Sequence, residues 1–224
     1  MDGCPSGSHS SAVELGSALG DGIGNPVEVR VEAELYEPTL NFIALAFGHH
    51  LRRHARSGSP WVFPAHVDHS AGSEEGRWTR PDLACLALAR GEFVPYWRAD
   101  LHTFEVKTAS GLNVTAVHEA NAHGRLGQFS WLAFQAVGQA APDTNLFGDI
   151  LASAGTVGVG VLSFQRPADP TDWRVDLWPA RTNTDPAVAD AFVRERFGTA
   201  SQTAIRRLLN AHGWPDMREP DDGL

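Results

Sequence analysis

Lysine is almost missing from this chain. Of its 18 basic residues one is a lysine, Lys107, and the rest are arginines. Cysteine is nearly as scarce. Cys4 stands in a Gly- and Ser-rich start and Cys85 in an apolar run, and they are the two cysteines of the chain. That excludes a disulfide framework and a zinc module built on sulfur, and it reads Cys85 as a small core hydrophobe. No apolar run reaches the ~20 residues that a membrane helix needs. Met1 to Gly24 lacks a basic start followed by an apolar stretch, so the expectation is no secretory leader and a cytoplasmic location. Positive charge is also short, with a net charge of −9. This counts against a protein that coats nucleic acid non-specifically, because such binding is driven by basic surface. It leaves room for an enzyme with a local basic groove, relying on metal ions and a few arginines. No His-Glu-x-x-His, Walker or Rossmann fingerprint appears, and no internal repeat.

What is present is a globular composition, 42% hydrophobic and 20% charged, in a length that suits one sizeable α/β domain or two small ones. Residues 1–26 read as a mobile tail, 27–215 as a single domain and 216–224 as an acidic C-terminal tail. Val27 to Leu35 is a strand or a helix lead-in. Pro38 suits a first helical turn, and Leu40, Ile43, Leu45, Phe47 and Leu51 predict a helix to about Ala55. Trp61 to Val67 reads as an edge strand broken by Pro64, Ser70 to Trp78 as a loop, and Asp82 to Ala89 as a strand. Glu92 to Tyr96 pairs beside that strand, and Leu101 to Thr108 alternates like another. Asn113 predicts the cap of a long helix from Val114 to about Gln139. Strands follow at Thr156 to Phe164 and Trp173 to Trp178, then helices near Pro186 to Phe197 and Gln202 to Ala211. The order α, β, β, β, α, β, β, α, α predicts a central mixed sheet with helices on both faces.

The candidate chemistry lies in two short pieces, Arg80-Pro81-Asp82-Leu83 at the entry of a strand and Phe104-Glu105-Val106-Lys107 within one. Their spacing suits adjacent strands. Side chains alternate along a strand, so Glu105 and Lys107 share a face while Val106 points away. If Asp82 projects towards Glu105, two carboxylates and one ammonium converge. Two carboxylates can hold a divalent cation such as Mg²⁺, which polarises a phosphate and acidifies bound water. A compact ammonium can orient the attacking water and stabilise developing charge. A planar guanidinium cannot replace it there. This gives weight to the fact that the single lysine completes the set.

The two pieces resemble the motif of the PD-(D/E)xK superfamily, the restriction-endonuclease-like nucleases. Pro81-Asp82 looks like its first half and Glu105-Val106-Lys107 like its second. The likeness extends to the order of helix, strands and following helix over roughly residues 30–165. It implies a three-layer α/β/α core with a central mixed sheet and a nuclease dependent on Mg²⁺ or Mn²⁺. Its substrate would be nucleic acid, DNA ahead of RNA. Asp82, Glu105 and the Val106 carbonyl would face the metal and Lys107 would serve the water. The superfamily also implies a role in defence or repair and an acid from the preceding helix. Glu34 and Glu37 are the candidates for that acid, with Glu34 favoured. A homodimer would supply two sites for two strands.

In the predicted helix after the motif, His118, Asn121, Arg125 and Gln128 form a polar stripe, with Val117, Ala120, Trp131 and Phe134 opposite. The stripe is either a solvated face or a wall of the cleft, with Arg125 on phosphate and Gln128 near the metal. One branch of the superfamily carries Gln-x-x-x-Tyr in this helix. Here Leu132 stands at the tyrosine's place. His50 and His54 are four apart and read as a surface helix face rather than a metal site. Two rivals stand beside the active nuclease. One is a catalytically inactive nuclease fold used for binding or assembly, and the other is a glycoside hydrolase, whose carboxylate pair needs neither lysine nor metal.

Overall fold

Alternation around the two acids shapes the centre of the molecule. The computed structural model describes residues 26–55, 60–67, 80–91 and 96–213. The expected N-terminal tail apart from Pro26, the loop Ser70 to Trp78, residues 92–95 and the acidic C-terminal tail lie outside the described residues. Strand β2 (Leu83–Arg90) pairs antiparallel with β3 (Trp97–Lys107), with Leu83 opposite Phe104. Strand β1 (Trp61–His66) pairs antiparallel with β2 and is an edge of the sheet. Pro64 sits within β1 opposite Cys85, a position where a missing N–H is tolerated. On the other side of β3 come β4 (Phe129–Gln135) and β5 (Gly160–Phe164), both parallel, and then β6 (Arg174–Leu177), antiparallel. The sheet order is β1-β2-β3-β4-β5-β6.

Helices cover both faces, so the chain is an α/β protein, with a mixed sheet of six strands among the described residues. On one face, a 3₁₀ turn (Glu32–Leu35), α1 (Tyr36–Phe42), a π-helical turn (Ile43–Phe47) and α2 (Gly48–Ala55) run in succession. Leu35, Phe42, Ile43 and Phe47 bury themselves against Leu83, Phe104, Val106 and Trp131. On the opposite face, α3 (Val114–Ala122) and α4 (Asn145–Val157) cover β4 and β5 through Val117, Ala120 and Ile150 on Leu132, Phe134 and Val161. On that same face, α5 (Pro186–Arg196) and α6 (Thr199–Ala211) cover β1 to β3 through Phe192 and Ile205 on Ala84, Leu88 and Leu101. No helix among the described residues is long and apolar enough to cross a membrane.

The long helix predicted from Val114 to about Gln139 is not one helix. Asn113 caps it as expected, its Oδ1 accepting the Ala116 N–H at 3.3 Å, but α3 ends at Ala122. A 3₁₀ turn (His123–Arg125) follows, and then β4. Gly127 is the physical reason for the turn's path. A Cβ there would lie 2.7 Å from the Leu101 carbonyl oxygen, so only glycine lets the chain pass that close to β3. Trp131 and Phe134, read as one helical face, lie on opposite faces of β4, Trp131 towards α1 and Phe134 towards α4. The strand expected from Thr156 begins at Gly160, because α4 occupies the residues before it. Thr144 caps α4 by accepting the Phe147 N–H at 3.2 Å, and Gly158 ends it at φ 77°.

Residues ahead of the first helical turn are tied down by one side chain. Gln135 accepts the Val29 N–H at 2.8 Å and donates to the carbonyls of Val27 at 2.8 Å and Gln165 at 2.9 Å.

Candidate active site

The site lies on the sheet face that carries α3 to α6, where β2 begins and β3 ends. Glu105 is opposite Leu132 and Lys107 opposite Phe134, and both partners belong to the cluster under α3 and α4. Val106 points to the other face and is fully buried there. Asp82 stands one residue before β2. Its N–H donates to the Phe104 carbonyl at 3.0 Å, and its own carbonyl accepts the Val67 N–H at 3.4 Å.

The Asp82 carboxylate is held at both oxygens. Oδ1 accepts the Tyr36 hydroxyl at 2.8 Å, and Oδ2 accepts the Val106 N–H at 2.8 Å. One bond comes from the first helix and the other from the strand of the second acid, so the carboxylate is fixed beside Glu105. Burial and the charge of Asp82 push the Tyr36 hydroxyl well up, which keeps it a neutral donor.

Lys107 stands among three carboxylates. Its Nζ lies 2.5 Å from Glu105 Oε1, 3.3 Å from Glu119 Oε2 and 3.4 Å from Glu32 Oε2. Burial acts to lower its pKa, but the hydrogen bond to Glu105 and the charges of Glu105, Glu32 and Glu119 outweigh burial and raise it. The ammonium is therefore a fixed cation. Burial, and then the charge of Asp82, push the Glu105 carboxyl up, with Lys107 opposing. Burial also raises Glu32, against the pull of Lys107. His123 Nε2 lies 3.7 Å from Glu105 Oε2, beyond hydrogen-bond reach. Burial, then Arg125 and Lys107, push its imidazole down to about 3, so it faces Glu105 uncharged.

Asp82, Glu105 and Lys107 are thus brought together as the sequence predicts. Glu34 is not part of the set. It is exposed, and Glu32 occupies the place expected for it. The segment begins as a 3₁₀ turn, which aims Glu32 and Tyr36, one turn apart and 3.4 Å in contact, at the ends of β2 and β3. Glu37 is exposed beside His66, at 3.7 Å. The polar stripe also divides. His118 and Asn121 are exposed on α3, Arg125 is exposed in the turn after it, and Gln128 is buried. Gln128 Oε1 accepts the Leu101 N–H at 2.8 Å, so its side chain serves the β3–β4 crossover rather than the carboxylates. His54 stacks on Trp178, with ring centroids 4.0 Å apart, and His50 lies against Phe42. Both serve packing. Reasoning from the sequence missed Glu32, Tyr36, Glu119 and His123. The spacing Glu32–Tyr36 and Glu119–His123, four residues each, was the available signal.

Among the described residues no group of three or more His, Cys, Asp and Glu side chains is arranged to hold a metal ion. The pair Asp82 and Glu105 does fit a sparser hard-cation site, because Mg²⁺ takes one or two carboxylates and completes its shell with water and phosphate. The charge balance agrees. Glu32, Glu105 and Glu119 face one ammonium, and Asp82 adds a further negative charge that opposes Glu105.

Comparison with family models gives no match, and comparison with curated proteins gives none. Among solved structures the chain is similar to a protein of unknown function from Silicibacter pomeroyi, at 14% identity and a TM-score of 0.37, over 80% of this chain and 94% of that one.

Proposed function

We propose that this chain is a metal-dependent phosphodiesterase of restriction-endonuclease-like type, acting on nucleic acid and on DNA ahead of RNA. One observation carries the reading: Asp82, Glu105 and the single lysine of the chain converge where β2 begins and β3 ends. The order of elements supports it too, with a helix, three antiparallel strands, a helix and a parallel strand in succession.

Asp82, Glu105 and the Val106 carbonyl would hold Mg²⁺ or Mn²⁺. The bound ion would polarise the scissile phosphate and acidify water. Tyr36 and the Val106 N–H keep the Asp82 carboxylate in one orientation, so no reorganisation is needed at the moment of reaction. Glu119 and Glu32 place the Lys107 ammonium beside Glu105. From there Lys107 orients the attacking water and stabilises the charge that builds on the phosphate oxygens.

A second reading has an observation in its favour. The Lys107 ammonium is engaged by three carboxylates, as in a fold kept for binding or assembly. Cleavage of supercoiled plasmid, linear duplex and single strands with Mg²⁺ or Mn²⁺ separates the two. Metal-dependent cutting by the wild type, reduced about 10²–10⁴-fold in Lys107→Ala, is the expected result. No cutting of any substrate, with no metal binding by calorimetry, would sink the catalytic reading and leave the scaffold.

A further inference from the structure

A cleft of about 300 Å³ is lined by Arg80 and Pro81, the residues just before Asp82, and three arginines face it: Arg80, Arg125 and Arg196. Two of its walls are continuous with the site. Arg80-Pro81 runs directly into Asp82, and Arg125 follows His123, the residue facing Glu105, by two positions. The third wall is α5, which brings Arg196 and the apolar Val188 and Phe192. Val188 is 41% exposed. The charge of Arg125 reaches into the site, where it helps to keep His123 neutral. Each guanidinium carries five N–H donors, so an intramolecular partner does not exhaust it.

The cleft's size and walls select its occupant. Its volume is near the lower end for small-molecule pockets, roughly 300 Å³, enough for about one nucleotide. A duplex, with paired bases and two backbones, cannot enter a space of one nucleotide's volume. Helix α5 stands on the same sheet face as Glu105, and its Phe192 packs with Ala84, two residues after Asp82. A single strand can bend in, with its backbone on guanidinium groups and a base on apolar side chains. The rest of the chain offers a duplex little, since net charge is −9 and duplex affinity depends on many phosphate contacts.

We propose that the cleft of Arg80, Arg125 and Arg196 seats a nucleotide of single-stranded nucleic acid next to the scissile phosphate, which a metal ion on Asp82 and Glu105 would take. This deepens the phosphodiesterase reading and rests on it.

The test uses the full chain carrying Glu105→Gln, with fluorescence anisotropy of a short labelled single strand and of the same sequence as a duplex. The single strand is expected to bind about tenfold or more tightly than the duplex, the scale of one base stacked or packed on the protein. Adding Arg125→Ala, at an exposed position where folding is not at stake, weakens single-strand binding about fivefold and reduces the salt slope by about 0.7. Arg196→Ala does the same, and Glu195→Ala, on the same wall, does not weaken binding. Equal or tighter binding of the duplex overturns the proposal, as does unchanged binding in Arg125→Ala. Cleavage by the wild type is scored separately. Arginine-dependent single-strand binding without cleavage by the wild type would remove the phosphodiesterase reading and keep the cleft. Cleavage with arginine-independent binding would do the reverse.

Discussion

The side chain of Asp82 accepts the main-chain N–H of Val106 at 2.8 Å. Val106 is fully buried, so this carboxylate is a structural clamp between two strands as well as a candidate metal ligand. Asp82→Ala leaves a buried donor without its acceptor and is expected to cost about 1–3 kcal/mol in urea unfolding. Asp82→Asn keeps one acceptor oxygen and should cost less, while abolishing metal-dependent cleavage as fully as alanine does. Equal stability of Asp82→Ala and wild type would show that the clamp contributes nothing.

Glu32 and Glu34 separate the sequence expectation from the geometry. Glu32 lies 3.4 Å from the Lys107 ammonium, whereas Glu34 is exposed. Glu32→Gln should reduce cleavage roughly 10–100-fold, the usual effect of losing a partner that orients a site residue. Glu34→Gln should leave it at the wild-type rate. The reverse ranking would restore Glu34 as the helix acid.

His102 gives the fold a defined response to acid. It is buried, and its Nδ1 accepts the Trp131 Nε1–H at 3.0 Å. Burial, then Arg98 and Arg181, push its pKa down to about 3. The folded state thus binds a proton less readily than the unfolded chain. The stability that follows is present above the unfolded value, near 6.5, and is lost as pH falls towards the folded one. One proton gives a slope of at most about 1.4 kcal/mol per pH unit. Urea midpoints measured from pH 7 to pH 4 should fall, and His102→Asn should start lower and fall less steeply. An unchanged slope in the variant would mean that other groups set it.

Gln135 ties the segment ahead of Glu32 to the sheet through three hydrogen bonds. Gln135→Ala is expected to speed hydrogen exchange at Val29 and to lower stability by about 1–3 kcal/mol. Because Glu32 follows that segment, cleavage should fall as well. Protection at Val29 equal to wild type would show that the helix alone anchors this part.

The Asp82, Glu105 and Lys107 set was legible because strand alternation fixes which residues share a face. Local pattern is enough for that. Glu119 and His123 lay off the polar stripe read along the predicted helix, and the end of α3, which depends on the close approach of Gly127 to Leu101, a contact between residues far apart in sequence, hid how that stripe divides. Strand β4 was hidden for a related reason. Its residues are buried on both faces, so Phe129 to Gln135 shows no alternation, and Trp131 and Phe134 happen to sit at helical spacing. Helix α4 carries Gly148 and Gly155, which weaken a helical pattern, and the cap at Thr144 was the remaining signal. Glu34 and Glu37 were the acids weighed, and Glu32 was not, because the pattern over Val27 to Leu35 does not reveal the 3₁₀ turn that sets which residue faces Lys107.

Strand β1 ends the sheet with Pro64 near its middle. A proline has no N–H to give to a further strand, and charged or interrupted edges resist pairing with other chains. Two copies of this protein meeting along β1 would leave a gap in the ladder at that residue. Self-association by sheet extension is therefore disfavoured on this side, and a stable pair of copies would have to be built from the β6 edge, helix faces or loops.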